Sequence, residues 1–223
     1  MLFLSIDTSG KFGGITLAEG DASSFRVVAS APIAGGAFSA QLVPTLAVLL
    51  RQHGAAPQEL GGFVAVSGPG SFTGLRVGLS AVKGLAEVLK KKIATVSLLE
   101  ALAIASAHPG KIASVLDANR GEVFFGLYEV EGERASKITE ELLSHSEFVT
   151  AIKKEQPAQT ISSDASVIEI ASSSGIEVHS AARPDSTTAA RIGLKKLLAG
   201  ETIGVEELDA NYIRRSDAEL LHR

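Results

Sequence analysis

The sequence predicts an α/β protein of two small subdomains with mixed sheets, both built on one duplicated plan. Three observations lead there. Leu2 to Ile6 reads as an apolar strand that ends at Asp7, turns through Gly10 and Gly13, and resumes as a strand near Ile15 to Ala18. Ile112 to Leu116 repeats this, ending at Asp117, turning through Asn119 and Gly121, and resuming at Val123 to Tyr128. In each half a third strand completes a meander, near Arg26 to Ala31 and near Ser136 to Leu142. Helical patterns then alternate with strands near Phe63 to Val66, Ile93 to Val96 and Thr160 to Ser162, as parallel pairing requires.

The limits set by composition agree. A chain of 223 residues with 45% apolar content suits one large domain or two small ones. No apolar run reaches the ~18 residues of a membrane span. The opening Met1 to Asp7 has no basic segment and acquires a charge early, so it reads as a strand and not as a signal peptide. A cytoplasmic protein without membrane contact is expected. There are no cysteines, which excludes disulfides, thiolate metal sites and cysteine nucleophiles. A net charge of −4 and a pI near 5.8 disfavour a protein that binds nucleic acid alone, because displacing counterions from phosphates takes a basic face. Any RNA would be held through a partner.

The division is expected near Ala107 to Gly110, where a helical run gives way to a strand. That makes residues 1–107 an N-terminal subdomain, residues 108–185 a C-terminal one, and residues 201–223 a tail. The helical run Ser186 to Ala199, within 186–200, is expected to cross back and complete the first subdomain.

The run Ser67 to Gly78, SGPGSFTGLRVG, joins a strand directly to a helix. Gly68 and Gly70 permit a tight turn with positive φ, Pro69 stiffens it, and Ser71 is placed to cap the next turn's amides. Such a junction also aims free N–H groups and a positive dipole end at one point, which suits a phosphate or carboxylate. Asp7, Gly68, Gly70, Ser71, Thr73 and Asp117 are therefore the candidate phosphate or nucleotide contacts. The competing reading is a capped helix start, and spacing alone favours it. No Gly-Lys-Ser/Thr follows, so this is not a Walker loop. The two aspartates admit a parallel pair of readings: they hold magnesium and a phosphate, or each caps its own turn. The second is preferred, since nothing in the second half resembles a glycine-rich adenine pocket. Glu87, Glu100 and Glu122 read as solvated.

No catalytic residue and no metal ligand set is assigned. Histidines 53, 108, 145, 179 and 222 never fall at the i, i+4 spacing that puts two imidazoles on one helix face. Apolar surface is the stronger signal. Phe38, Ala40, Leu42, Val43, Leu46, Ala47, Leu49 and Leu50 fill about 200° of one helix. Leu75, Val77, Gly78, Leu79, Ala81, Val82, Leu85, Ala86, Val88 and Leu89 fill about as much of a second. A helix on one sheet needs about half of that, so a second cover is expected. Leu42, Leu46, Leu49, Leu50, Val77, Ala81, Leu85 and Val88 are the candidate partner contacts. Pro44 would sit in the first turns of its helix and implies a later start or a bend.

The junction followed by LSAVKGLA resembles the TsaB (YeaZ) family, the small partner of the TsaD enzyme that makes threonylcarbamoyladenosine in tRNA. The stretches LFLSIDTS, VLDANRGEVFFGLYE and LDANYIRRS extend the likeness over essentially the whole chain. The resemblance implies a duplicated actin-like, ribonuclease-H-like (ASKHA) fold. It also implies a non-catalytic subunit that binds and activates TsaD for threonylcarbamoyl transfer to the adenosine beside the anticodon. TsaE, an ATPase, would join that complex, and the chain alone would pair with a second copy. ATP or ADP and metal are expected only in the assembled complex, and none in the isolated chain. TsaD carries a histidine pair on the helix after its third strand, where this chain has Phe38 to Leu42. Asn211 stands before Tyr212 where the family often has proline. The alternative function is an ATP-dependent phosphotransferase of the actin-like superfamily using Asp7, Asp117 and the Gly68 to Thr73 loop.

Overall fold

The computed structural model describes residues 1–214 and divides them between two units. Labels follow chain order. In the first unit, strand β1 (Leu2–Asp7) is apolar and buried on both faces, and so takes the centre of a sheet. It pairs antiparallel with β2 (Phe12–Gly20), which pairs with β3 (Phe25–Ala34) in the same sense. On its other side it pairs parallel with β4 (Leu60–Gly68), followed by β5 (Lys92–Ser97). The order is β3-β2-β1-β4-β5. Each parallel step needs a crossover, supplied by helices α1 (Phe38–Gln52) and α2 (Phe72–Leu89). Both cover one face, where Leu4, Ile6, Ile15, Leu17 and Phe63 meet Leu42, Leu46, Leu79 and Val82 in one core.

Helix α6 (Ser186–Ala199) packs on the same unit, against β1, β2, β4 and β5. It fits tightly because Gly193 has no side chain; a methyl carbon there would lie 2.3 Å from Val64. Asp185 caps it, accepting from the amides of Thr187 and Thr188. After α6 the chain covers the β5 edge through an Ile93–Ile203 bridge, and the Asn211 amide donates to the Ser67 carbonyl at 2.8 Å. Residues 201–211 thus belong to the first unit, and Tyr212 to Arg214 go with the second. The expected single tail is divided.

The second unit repeats the plan. Strands β6 (Gly110–Asn119), β7 (Glu122–Glu131), β8 (Arg134–Ser144), β9 (Gln159–Ser162) and the short β10 (His179–Ser180) take the order β10-β9-β6-β7-β8. Helices α4 (His145–Glu155) and α5 (Ala165–Ser173) cover one face around Phe148 and Val167. Helix α3 (Leu98–Ala105) also packs on this sheet, brought close to β7 by Gly126. This moves the boundary from the expected 107 to between Ser97 and Leu98, because α3 buries its apolar face on the second sheet. It also buries Glu100, which the sequence reads as solvated. Three antiparallel strands followed by two parallel ones, twice over, is the duplicated ribonuclease-H-like arrangement of the actin-like fold.

Helix α1 starts at Phe38 and accommodates Pro44 inside. That side of the helix is exposed, where a carbonyl freed by the proline ring is open to water. No described helix is long and apolar enough to cross a membrane.

Candidate functional site

The junction after β4 is built as a cap and a close contact. Ser71 stands at the N-cap of α2, and its hydroxyl accepts from the Gly74 amide at 3.2 Å. Gly68 has φ +116, a conformation for which glycine is the natural residue, and its bond to Pro69 is cis. Gly70 is there for another reason than the positive φ expected of it. A methyl carbon at Gly70 would lie 2.1 Å from the Ser9 carbonyl oxygen. One at Gly74 would lie 2.2 Å from the Thr8 carbonyl oxygen, and one at Gly78 would lie 2.2 Å from the Thr8 hydroxyl. The turn after β1 is therefore laid directly on the start of α2, and the Ser71 amide donates to the Ser9 carbonyl at 2.7 Å. An anion approaching this amide would meet the protein's own carbonyl oxygen.

The same turn occupies Asp7. Its Oδ1 accepts from the Ser9 amide at 2.8 Å and from the Ser9 hydroxyl at 2.6 Å, and all of Asp7, Thr8 and Ser9 are buried. Thr73, in contrast, is exposed on the first turn of α2. Asp117 repeats the local geometry in the second unit. Its Oδ1 accepts from the Asn119 amide at 2.7 Å, and its Oδ2 from the Ser166 hydroxyl at 2.8 Å. The Asp164 carboxylate in turn accepts from the Asp117 amide at 2.7 Å. Arg214 reaches this hairpin, donating to the Asn119 carbonyl at 3.3 Å and pairing with Glu122. Each aspartate caps a turn of its own unit. Arg215 lies outside the described residues.

Phe38 fills the place next to the loop. Its ring is 2.8 Å from where a methyl at Gly13 would stand and 3.3 Å from one at Gly74. An apolar ring offers no lone pair, and among the described residues no group of three His, Cys, Asp or Glu side chains converges.

The structure redistributes the candidate contacts on the helices. Leu42, Leu46, Leu49 and Leu50 do not face outward: they are buried in the first unit's own core, because the largest side chains fill the space above the sheet. Val77, Ala81 and Leu85 are half-buried against that core, and Val88 is 80% exposed. The outward side of α1 consists of smaller residues, Ala40, Val43, Pro44, Ala47 and Val48, with Val43 61% exposed. On α2 an uncharged stripe of Val77, Ala81, Gly84, Leu85 and Val88 runs beside the exposed Arg76, Ser80 and Glu87. The two helices pack side by side; Arg51 ends the uncharged stripe of α1, and Arg76, Lys83 and Glu87 flank that of α2. The second unit supplies an internal control: its equivalent helices present Glu147, Lys153, Lys154 and Glu169. Up to Arg51, α1 carries no charged residue, whereas α4 carries Glu147, Lys153 and Lys154; α2 and α5 both show exposed charge, at Glu87 and Glu169. The i, i+3, i+4, i+7, i+8 spacing of 40, 43, 44, 47 and 48 was visible in the sequence, as was the four-residue spacing of Gly70, Gly74 and Gly78.

A family model described as TsaD: tRNA N6-adenosine threonylcarbamoyltransferase matches residues 31–195. The chain belongs to this family. Within it, the chain is 38% identical over 130 residues to the tRNA threonylcarbamoyladenosine biosynthesis protein TsaB of Bacillus subtilis (strain 168). That match takes in 58% of this chain and 56% of the relative, so it spans little more than half of the curated protein's length. Two Pseudomonas aeruginosa structures share the fold. One, similar to peptidase YEAZ, has a TM-score of 0.76 at 22% identity, covering 96% of this chain and 99% of that one. The other, YeaZ, has a TM-score of 0.72 at 20% identity, covering 94% and 100%. The resemblance to TsaB (YeaZ) read from the sequence is borne out.

Proposed function

We propose that this chain is a non-catalytic subunit in tRNA threonylcarbamoyladenosine biosynthesis, which binds and activates a TsaD enzyme through the outward face of α1 and α2. The observation that carries this reading is the uncharged surface of Ala40, Val43, Ala47, Val48, Ala81, Leu85 and Val88. Exposed apolar area of this kind, on two parallel stripes, is what a helical partner covers. Phe38, set against Gly13 and Gly74, supports the non-catalytic part: the helix position that holds a histidine pair in TsaD offers only carbon here. The self-capped turns at Asp7 and Asp117 support the absence of a nucleotide on the isolated chain. In the assembled complex TsaD supplies the catalytic groups, any metal and the tRNA contacts, and TsaE supplies ATP turnover. Without TsaD the same face pairs with a second copy.

The test is reconstitution. TsaD from the same organism is assayed for threonylcarbamoyl transfer to tRNA with and without this chain. The chain alone is expected to transfer nothing and hydrolyse no ATP, and to raise the rate of TsaD. An unchanged TsaD rate contradicts activation. ATP turnover by the chain alone that is lost in Asp7→Asn contradicts the non-catalytic reading.

A further inference from the structure

Both helices of the outward face begin on one buried turn. The loop into α2 meets the Ser9 backbone at Gly70, and α2 meets the Thr8 backbone at Gly74 and the Thr8 side chain at Gly78, with methyl positions only 2.1 to 2.2 Å from turn oxygens. Helix α1 meets the same place through Phe38, whose ring lies against both Gly13 and Gly74. A methyl carbon at Gly13 would also stand 2.3 Å from the Asp7 carbonyl oxygen, so β2 closes the turn from the other side. The turn is internally fixed by the two hydrogen bonds onto Asp7 and tied to α2 by the Ser71 amide. Contacts this close leave no slack: a shift of either helix drives atoms into the turn, and the turn must follow.

We propose that the Asp7–Ser9 turn is the anchor that sets α1 and α2 relative to each other, so that docking on their outward stripes and order in the turn are one linked equilibrium. This rests on the docking reading given above and adds its regulation. The glycines of the signature serve the interface without touching the partner. On α2, Val77, Ala81, Leu85 and Val88 present the outward stripe, while Gly74 and Gly78 clamp the turn. Linkage is reciprocal: whatever loosens the turn weakens docking, and docking protects the turn.

The test pairs hydrogen exchange with a mutational cycle, using the full chain and TsaD of the same organism. Adding TsaD is expected to slow exchange of the Ser9 and Ser71 amides by about tenfold, although neither residue lies on the outward stripes. Gly78→Ala is expected to weaken docking by about tenfold, and Thr8→Ala, which removes the hydroxyl from its path, to restore docking in the double variant. If the wild-type complex forms but the two amides exchange as before, or Gly78→Ala docks at full strength, or Thr8→Ala fails to rescue it, the anchor is overturned and the docking reading stands. If the wild-type chain does not associate with TsaD, both fall.

Discussion

At Gly70, the constraint is an oxygen atom and not a dihedral angle. Gly70→Ala places a methyl 2.1 Å from the Ser9 carbonyl, so backbone must move, at a cost of about 1 to 3 kcal/mol in equilibrium unfolding. Ser71→Ala removes one cap to the Gly74 amide and is expected to cost about 1 kcal/mol. A Gly70→Ala protein as stable as the wild type would mean that the turn can yield. Asp21 offers a separate check by pH. The amide of Ser23, followed by the hydroxyls of Ser23 and Ser24, holds its carboxyl down at about 2. A folded-state pKa below the unfolded value of about 3.9 means that the stabilisation is complete above that value and is lost as pH falls toward 2. Denaturant midpoints should therefore fall over that window in the wild type and fall less steeply in Asp21→Asn. An identical slope in the two proteins contradicts the assignment.

On the helices, side-chain size decides which part of a wide apolar arc turns inward. Leu46 is buried and Val43 is exposed, although both belong to the arc drawn from the sequence. Leu46→Glu should destabilise the isolated chain by on the order of 3 kcal/mol, by burying an unpaired charge. Val43→Glu should stay within about 0.5 kcal/mol of the wild type. Thermal unfolding of the two variants separates them, and equal losses would contradict the assigned faces. This is also where the sequence stops being legible. Hydrophobic period places both helices and nearly every strand, and the strand, Asp, turn repeat exposes the duplication. Period measures only the width of the arc at 38–50 and at 75–89, not its orientation, because orientation depends on the sheet beneath. The outward residues could have been sought among the small members, Ala40, Val43, Ala47 and Val48. Helix α3 escaped for a related reason: Leu98–Ala105 is apolar on almost every side, so nothing local says which sheet it joins. The contact between Gly70 and Ser9 brings together residues far apart in sequence and leaves no local mark beyond glycines spaced by four.

For the whole molecule, the duplicated fold places two candidate ligand turns and caps each within its own unit, while α1 is left uncharged up to Arg51. This combination supports the proposal that a bound partner does the chemistry. The direct measurement is the mass and stoichiometry of the species formed when this chain is mixed with TsaD of its own organism, by size-exclusion chromatography with light scattering. A one-to-one complex is expected, and it is lost when Val43→Glu and Val88→Glu are combined in a chain that still unfolds cooperatively. A folded double variant that binds TsaD as the wild type does would contradict it.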